Sequence, residues 1–196
     1  LAETDEQDEE TAKTVTRPAA GEIKRALGDW YYSTKENETL EEAVVRLLMK
    51  YDLTVSTAES CTGGMIAARL VNVAGVSEVF REGYVTYSNK AKRKLLKVGK
   101  NTLKEFGAVS KQTAEEMARG GMEFSDSDVC IAVTGIAGPD GGTKEKPVGL
   151  VFGGCCVRGE TEVEKWNFRG SRQEIREQSA MAALDLLRRM ILKNFR

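Results

Sequence analysis

Apolar and polar positions follow two periods along this chain, and the switches between them outline a fold. From Thr39, "TLEEAVVRLLMKYD" sets Leu40, Val44, Leu47 and Leu48 on one helical face, and Thr39 with Glu42 has capping-box spacing. "LTVSTA" (Leu53 to Ala58) reads as a strand, since β-branched residues alternate there with apolar ones, and "TGGMIAARLVNVAG" as a helix stopped by Gly75. A second short strand, "GYVTYS", precedes "NKAKRKLLKVG", a helix with Asn89 as N-cap that ends near Gly99. Ser110 caps "KQTAEEMARGGMEF", and "DVCIAVTG" is a nearly continuous apolar run, the mark of a strand covered on both faces. "PVGLVFGGCCV" and "TEVEKWNF" are two further strands around a turn at Arg158 to Glu160. Ser171 and Glu174 open a long final helix with Ala180, Ala183, Leu184, Leu187 and Ile191 along its apolar side.

Strands alternating with helices and then a hairpin predict an α/β fold, a three-layer α/β/α sandwich with a mixed, mostly parallel sheet. Residues 39–196 are the expected ordered domain. Residues 1–20 are acidic, Thr-rich and poor in large apolar groups, so they are expected to be a flexible tail or linker. Residues 21–38 hold a small cluster of Ile23, Leu27, Trp30 and Tyr31, too small to fold alone, which reads as the remnant of an upstream linking domain.

Composition narrows the chemistry. With 41% hydrophobic residues in 196, the chain can bury one core without disulfides or metal. Its 29 basic and 30 acidic residues leave no net electrostatic footprint for nucleic acid or an anionic membrane, so the expected partner is a small molecule. Apolar runs are too short to span a bilayer, and the acidic start is unlike a signal peptide, which predicts a cytoplasmic protein. Cys61, Cys130, Cys155 and Cys156 lack metal or redox spacing and read as packed, reduced thiols. The chain contains no histidine, so Ser-His-Asp, Cys-His, H-E-x-x-H and zinc-deaminase sites cannot be built within it.

Ligand sites in such sheets lie beyond the C-terminal ends of parallel strands, where "AESCTGG", "TYSNKAK" and "TGIAGPDGG" all fall. Ser60, at a strand-to-helix junction before Thr62, Gly63 and Gly64, has either the place of a nucleophile beside helix N–H donors or that of a simple N-cap. Adjacent Cys61 is the rival nucleophile, because a thiol at a helix N-terminus can ionise without a histidine. A serine here needs another base, and a lysine of lowered pKa is the usual substitute. Lys92 is the best-placed candidate, in a first helical turn where the dipole and neighbouring Lys90 and Lys94 disfavour its charge, although most lysines of "KAKRKLLK" must be solvated. Tyr87 could orient that lysine or touch substrate. The glycines of "TGIAGPDGGTKEKPVG", Gly135, Gly138, Gly141 and Gly142, allow close backbone approach to an anion in a loop that is neither a Walker A motif nor G-x-G-x-x-G. Arg172 could supply a forked phosphate partner, with Arg176 one turn on.

Together, "TAESCTGG", "GYVTYSNKAK", "FGAVS", "TGIAGPDGGTKEKPVG" and "FRGSRQEIREQ", in this order over Thr39 to Arg196, resemble the C-terminal domain of the CinA family of competence/damage-inducible proteins. The resemblance implies a nicotinamide mononucleotide (NMN) amidohydrolase of pyridine nucleotide recycling, working by a Ser/Lys dyad without metal or cofactor. It puts the nucleophile at Ser60 and the base at Lys92, with Cys61 a packed neighbour. Tyr87, Thr134 and Arg172 become orienting or substrate-contacting groups, the N–H groups near Thr62 and Gly63 an oxyanion site, and the glycine loop with Gly135 and Gly138 a ribose-phosphate site. Phe106 stands where the family often has a histidine. The resemblance also implies a homodimer and a missing upstream molybdopterin-binding-like domain. The alternative from another class is a non-catalytic nucleotide-binding or competence-associated adaptor.

Overall fold

The computed structural model describes residues 8–195, which divide into two units at Glu38 and Thr39. The first contains helix α1 (Glu9–Leu27) and a short 3-10 turn, Gly28–Trp30. Residues 9–20 of the expected flexible tail or linker are thus helical, and residues 1–7 lie outside the described residues. Asp8 caps the helix by accepting from the Thr11 N–H, Glu9 and Glu10 sit at its positive end with Lys24 and Arg25 at the other, and Lys13 pairs with Glu9 at 2.6 Å. No residue of α1 is buried, so only these local terms favour the helix within this unit.

In the second unit the order is α2 (Leu40–Lys50), β1 (Val55–Glu59), α3 (Met65–Val71), β2 (Phe80–Val85), α4 (Asn89–Leu96), α5 (Lys100–Glu105), α6 (Lys111–Ser125), β3 (Val129–Gly135), β4 (Leu150–Val157), β5 (Glu160–Asn167) and α7 (Arg172–Phe195). The five strands lie in the order β2-β1-β3-β4-β5. β1 runs parallel to β2 and β3, while β3–β4 and β4–β5 are antiparallel, so the mixed sheet confines its parallel character to the half that carries the site. β2 begins three residues earlier than the sequence suggests and stops at Val85. It is an edge strand whose exposed Arg81 and Glu82 hide it from a search for apolar alternation.

Period-two alternation sorts the core into two layers. Val55, Val129, Ile131, Val133, Val151 and Cys155 meet α2, α3 and α7 on one face, and Ala58, Cys130, Ala132 and Cys156 meet α4 and α6 on the other. All four cysteines are buried free thiols. The capping boxes at Thr39/Glu42 and Ser171/Glu174 form as reciprocal hydrogen bonds. On the second face α4 presses on α6 through Gly120, where a Cβ would lie 2.1 Å from the Leu96 carbonyl oxygen. That approach sets the depth at which α4 lies. Among the described residues, no helix is long and apolar enough to cross a membrane.

Candidate active site

Ser60 follows β1 directly. Its N–H donates to the Val133 carbonyl at 3.0 Å, pinning it to the end of β3, and it is 8% exposed. The chain then reverses through Gly63 (φ 63°) and Gly64 (φ 94°), left-handed conformations that favour glycine. The helix cap expected at Asn89 lies one residue earlier, because Ser88 is still extended and its hydroxyl accepts from the Ala91 N–H.

That cap starts α4 so that Lys92 points inward, 1% exposed. Lys92 Nζ donates to Ser60 Oγ and to the Thr86 carbonyl, each at 2.8 Å, and the Tyr87 carbonyl lies 3.5 Å away. Burial pushes the Lys92 amine down to about 8. The like charge expected from Lys90 and Lys94 has no part in this: both side chains are exposed to water, which screens them. Cys61 is 6% exposed, and burial pushes its thiol up to about 11 against weaker opposing contributions from its own N–H, from Lys92 and from the Thr62 N–H. At neutral pH it is a protonated thiol and a poor nucleophile, whereas Ser60 touches the amine.

A cleft of about 260 Å³ opens in front of this pair. Tyr87, Thr134, Gly135, Gly138 and Arg172 all line it with Ser60 and Lys92. Arg172, the first residue of α7, spans its mouth: Nη1 donates to the Gly138 carbonyl at 2.6 Å and Nη2 to the Tyr87 hydroxyl at 3.1 Å. The Tyr87 hydroxyl thus meets Arg172 rather than the amine of Lys92. The Thr134 hydroxyl donates to the Ala108 carbonyl at 2.7 Å, fastening a neighbouring loop to the end of β3.

Thr62 and Gly63 do not line the cleft. Thr62 is fully buried, and the Gly63 N–H is occupied by the Ser60 carbonyl at 3.1 Å. The start of α3 is occupied too. Buried Glu59 accepts from the N–H groups of Gly64 (3.0 Å), Ile66 (3.1 Å) and Ala67 (2.9 Å), so a carboxylate of this chain already fills the helix N-terminus. The N–H groups of Cys61 and Thr62, beside the Cys61 sulfur, are the ones in this turn that no backbone carbonyl occupies among the described residues.

Two supporting residues escaped the sequence reading, and a third was named there only as a neighbour of Arg172. Glu59 is one, its only signal an acid at a strand end before a glycine turn. Lys146 is another: Nζ donates to the Phe106 carbonyl at 2.6 Å and to the Val109 carbonyl at 2.7 Å, joining the glycine-rich segment to the loop that lines the cleft. Arg176 is the third. Its Nε donates to the Cys61 carbonyl at 3.1 Å and its Nη2 to the Thr62 carbonyl at 2.8 Å. One helical turn after Arg172 was its only signal.

The chain is similar to known proteins by sequence and by fold. The chain is 53% identical over 183 residues to a CinA-like protein of Kosmotoga olearia, covering 93% of this chain and 44% of that protein. It is 52% identical over 187 residues to a protein of Clostridium perfringens strain SM101 named for competence-damage inducibility, covering 95% and 45%. The chain thus spans less than half the length of the curated relatives it matches. Among solved structures, the competence/damage inducible protein CihA of Agrobacterium tumefaciens superposes with a TM-score of 0.72 at 44% identity, covering 79% of this chain and 97% of that one. The competence damage-inducible protein A of Klebsiella pneumoniae gives 0.77 at 36% identity, covering 80% and 97%. The family pattern described as the CinA C-terminal domain matches residues 37–191, and the chain belongs to the CinA family.

Proposed function

We propose that this domain is an amidohydrolase that converts NMN to nicotinate mononucleotide and ammonia, with Ser60 as nucleophile and Lys92 as base. The observation that carries the reading is the 2.8 Å contact between a buried Lys92 amine, pushed down to about 8, and Ser60 Oγ. The choice of NMN comes from the family resemblance.

Neutral Lys92 takes the Ser60 proton as Oγ attacks the carboxamide carbon. The Thr86 carbonyl, accepting one N–H of the amine, turns its lone pair toward Ser60. The developing oxyanion is met by the N–H of Cys61, a residue that lines the cleft and whose N–H no backbone carbonyl occupies among the described residues. The Lys92 ammonium returns the proton to the leaving nitrogen, ammonia departs, and water attacks the acyl carbon while Lys92 accepts its proton. Serine is then restored with a carboxylate product. Arg172 keeps N–H donors beyond its two contacts and offers them to the phosphate at the mouth of the cleft.

Ammonia release from NMN, measured without added metal, tests the reading on the parent chain, Ser60→Ala and Cys61→Ala. Expected is turnover by the parent and by Cys61→Ala, with a loss of at least about 1,000-fold in Ser60→Ala. Turnover that survives Ser60→Ala but not Cys61→Ala would transfer the chemistry to the thiol. Binding without turnover by the parent would favour the adaptor alternative.

A further inference from the structure

The nucleophile turn carries two consecutive peptide groups whose orientation is imposed from another element. Arg176, on α7, reaches across to the carbonyls of both Cys61 and Thr62, 115 and 114 positions earlier in the sequence. It makes one further contact, with Gln173 Oε1 at 3.4 Å, and has no carboxylate partner among the described residues. Neighbouring Ile175, 1% exposed in the core, fixes this turn of α7 against the sheet.

A trans peptide is planar, with its N–H directed opposite to its carbonyl. The carbonyl of Cys61 and the N–H of Thr62 belong to one such plane. Drawing that carbonyl toward α7 therefore turns the Thr62 N–H away from α7, to the side of the Cys61 sulfur. The Thr62 carbonyl and the Gly63 N–H form the next plane, held by Arg176 at one end and by the Ser60 carbonyl at the other. A guanidinium on a carbonyl also polarises its peptide group and strengthens the N–H across the same bond. The turn needs such support, because Gly63 and Gly64 are both left-handed and have no side chains to hold it.

We propose that Arg176 is a positioning residue for catalysis, a guanidinium clamp that fixes the two peptide planes following Ser60 and so holds the nucleophile turn in place against Lys92. The proposal rests on the reading of Ser60 as nucleophile. It does not depend on which amide the enzyme consumes, and Arg176 itself does not line the cleft.

The test follows covalent labelling of Ser60 by a fluorophosphonate, read by mass spectrometry across pH, alongside kcat and KM for NMN. Labelling displaces fluoride from phosphorus and uses the same oxyanion donors. It is run on the parent, Arg176→Lys, Arg176→Gly and Ser60→Ala, with unfolding midpoints recorded for each. Arg176→Gly should label about 100-fold more slowly, a loss of the size expected when a positioned nucleophile is displaced by about 1 Å. The midpoint of its pH profile should stay at the parent value, since the surroundings of Lys92 are unchanged, and kcat should fall with KM nearly constant. Millimolar guanidinium should restore at least tenfold of the rate in Arg176→Gly, and Arg176→Lys should lie between the two.

A labelling rate within about threefold of the parent overturns the proposal alone. So does a loss that tracks the unfolded fraction and that guanidinium does not restore. A parent whose Ser60 is not labelled overturns the nucleophile assignment and the proposal with it, and labelling without NMN turnover leaves the clamp standing while removing the substrate.

Discussion

If Lys92 is the base, pH alone should switch the enzyme, and the structure fixes the range. The perturbation is a titration from pH 6 to 10 with the fold intact. Lys92 is among the largest fully buried side chains of the domain, and its two close contacts, Thr86 carbonyl and Ser60 Oγ, are both uncharged. Burial without a counter-charge brings the amine from its ordinary 10.5 to about 8. At pH 7 about one molecule in ten then holds a neutral amine, against about one in 3,000 for an ordinary lysine, a gain of roughly 300-fold in active base. Only the neutral form accepts the Ser60 proton, so activity must be lost as pH falls. The assay is kcat/KM for ammonia release, or the labelling rate of Ser60 in its place. It should rise about tenfold per pH unit up to pH 7 and level off above about 8. A profile flat from pH 6 to 10, or one still climbing at pH 10, would refute the argument: the first removes lysine from the mechanism, the second returns it to water.

Two predictions follow from the same packing. Below pH 8 the fold carries a buried ammonium that costs about 3 kcal/mol, the equivalent of the difference between 10.5 and 8. Because the folded value is lowered, the unfolded chain binds more protons between pH 8 and 10.5, and the stability of the parent rises with pH across that window. Lys92→Met removes the buried charge but leaves the Thr86 carbonyl unpaired, so at pH 7 it should be inactive yet more stable by about 1–2 kcal/mol in urea unfolding, with the gap closing near about pH 9 and reversing by about pH 10. A gap equal at pH 7 and pH 10 would contradict the linkage. Gly120→Ala sets a methyl 2.1 Å from the Leu96 carbonyl oxygen, and because that atom is backbone, α4 and Lys92 must shift with it. Thermal unfolding should report a loss of about 1–3 kcal/mol and kcat should fall at least tenfold. Gly21→Ala in α1, where a Cβ meets nothing within 4 Å, is the matched control and should leave both unharmed.

The sequence by itself determined what a few consecutive residues can decide. The capping boxes at Thr39 and Ser171, the doubly covered run of β3 and the β4–β5 hairpin all rest on periodicity and short-range hydrogen bonds, and all are in the fold. The absence of histidine and the resemblance in five motifs directed attention to Ser60 and Lys92 before any distance was known. Composition did not show that residues 9–20 are helical, because a helix with no buried residue is favoured by its cap and end charges, which apolar content does not register. Edge strand β2 was misplaced for a related reason: four of its six residues are exposed, and it owes its strand more to hydrogen bonding with β1 than to apolar alternation. The site needed tertiary structure wherever partners lie far apart in sequence. Which N–H groups remain open for an oxyanion depends on Glu59 and the Ser60 carbonyl having taken the others, and the aim of the turn depends on Arg176. The Lys92 amine is lowered by exclusion of water, not by the lysines beside it in sequence. Desolvation is a property of everything packed around a group, so only the assembled α4, α6 and sheet could decide which lysine of "KAKRKLLK" becomes a base.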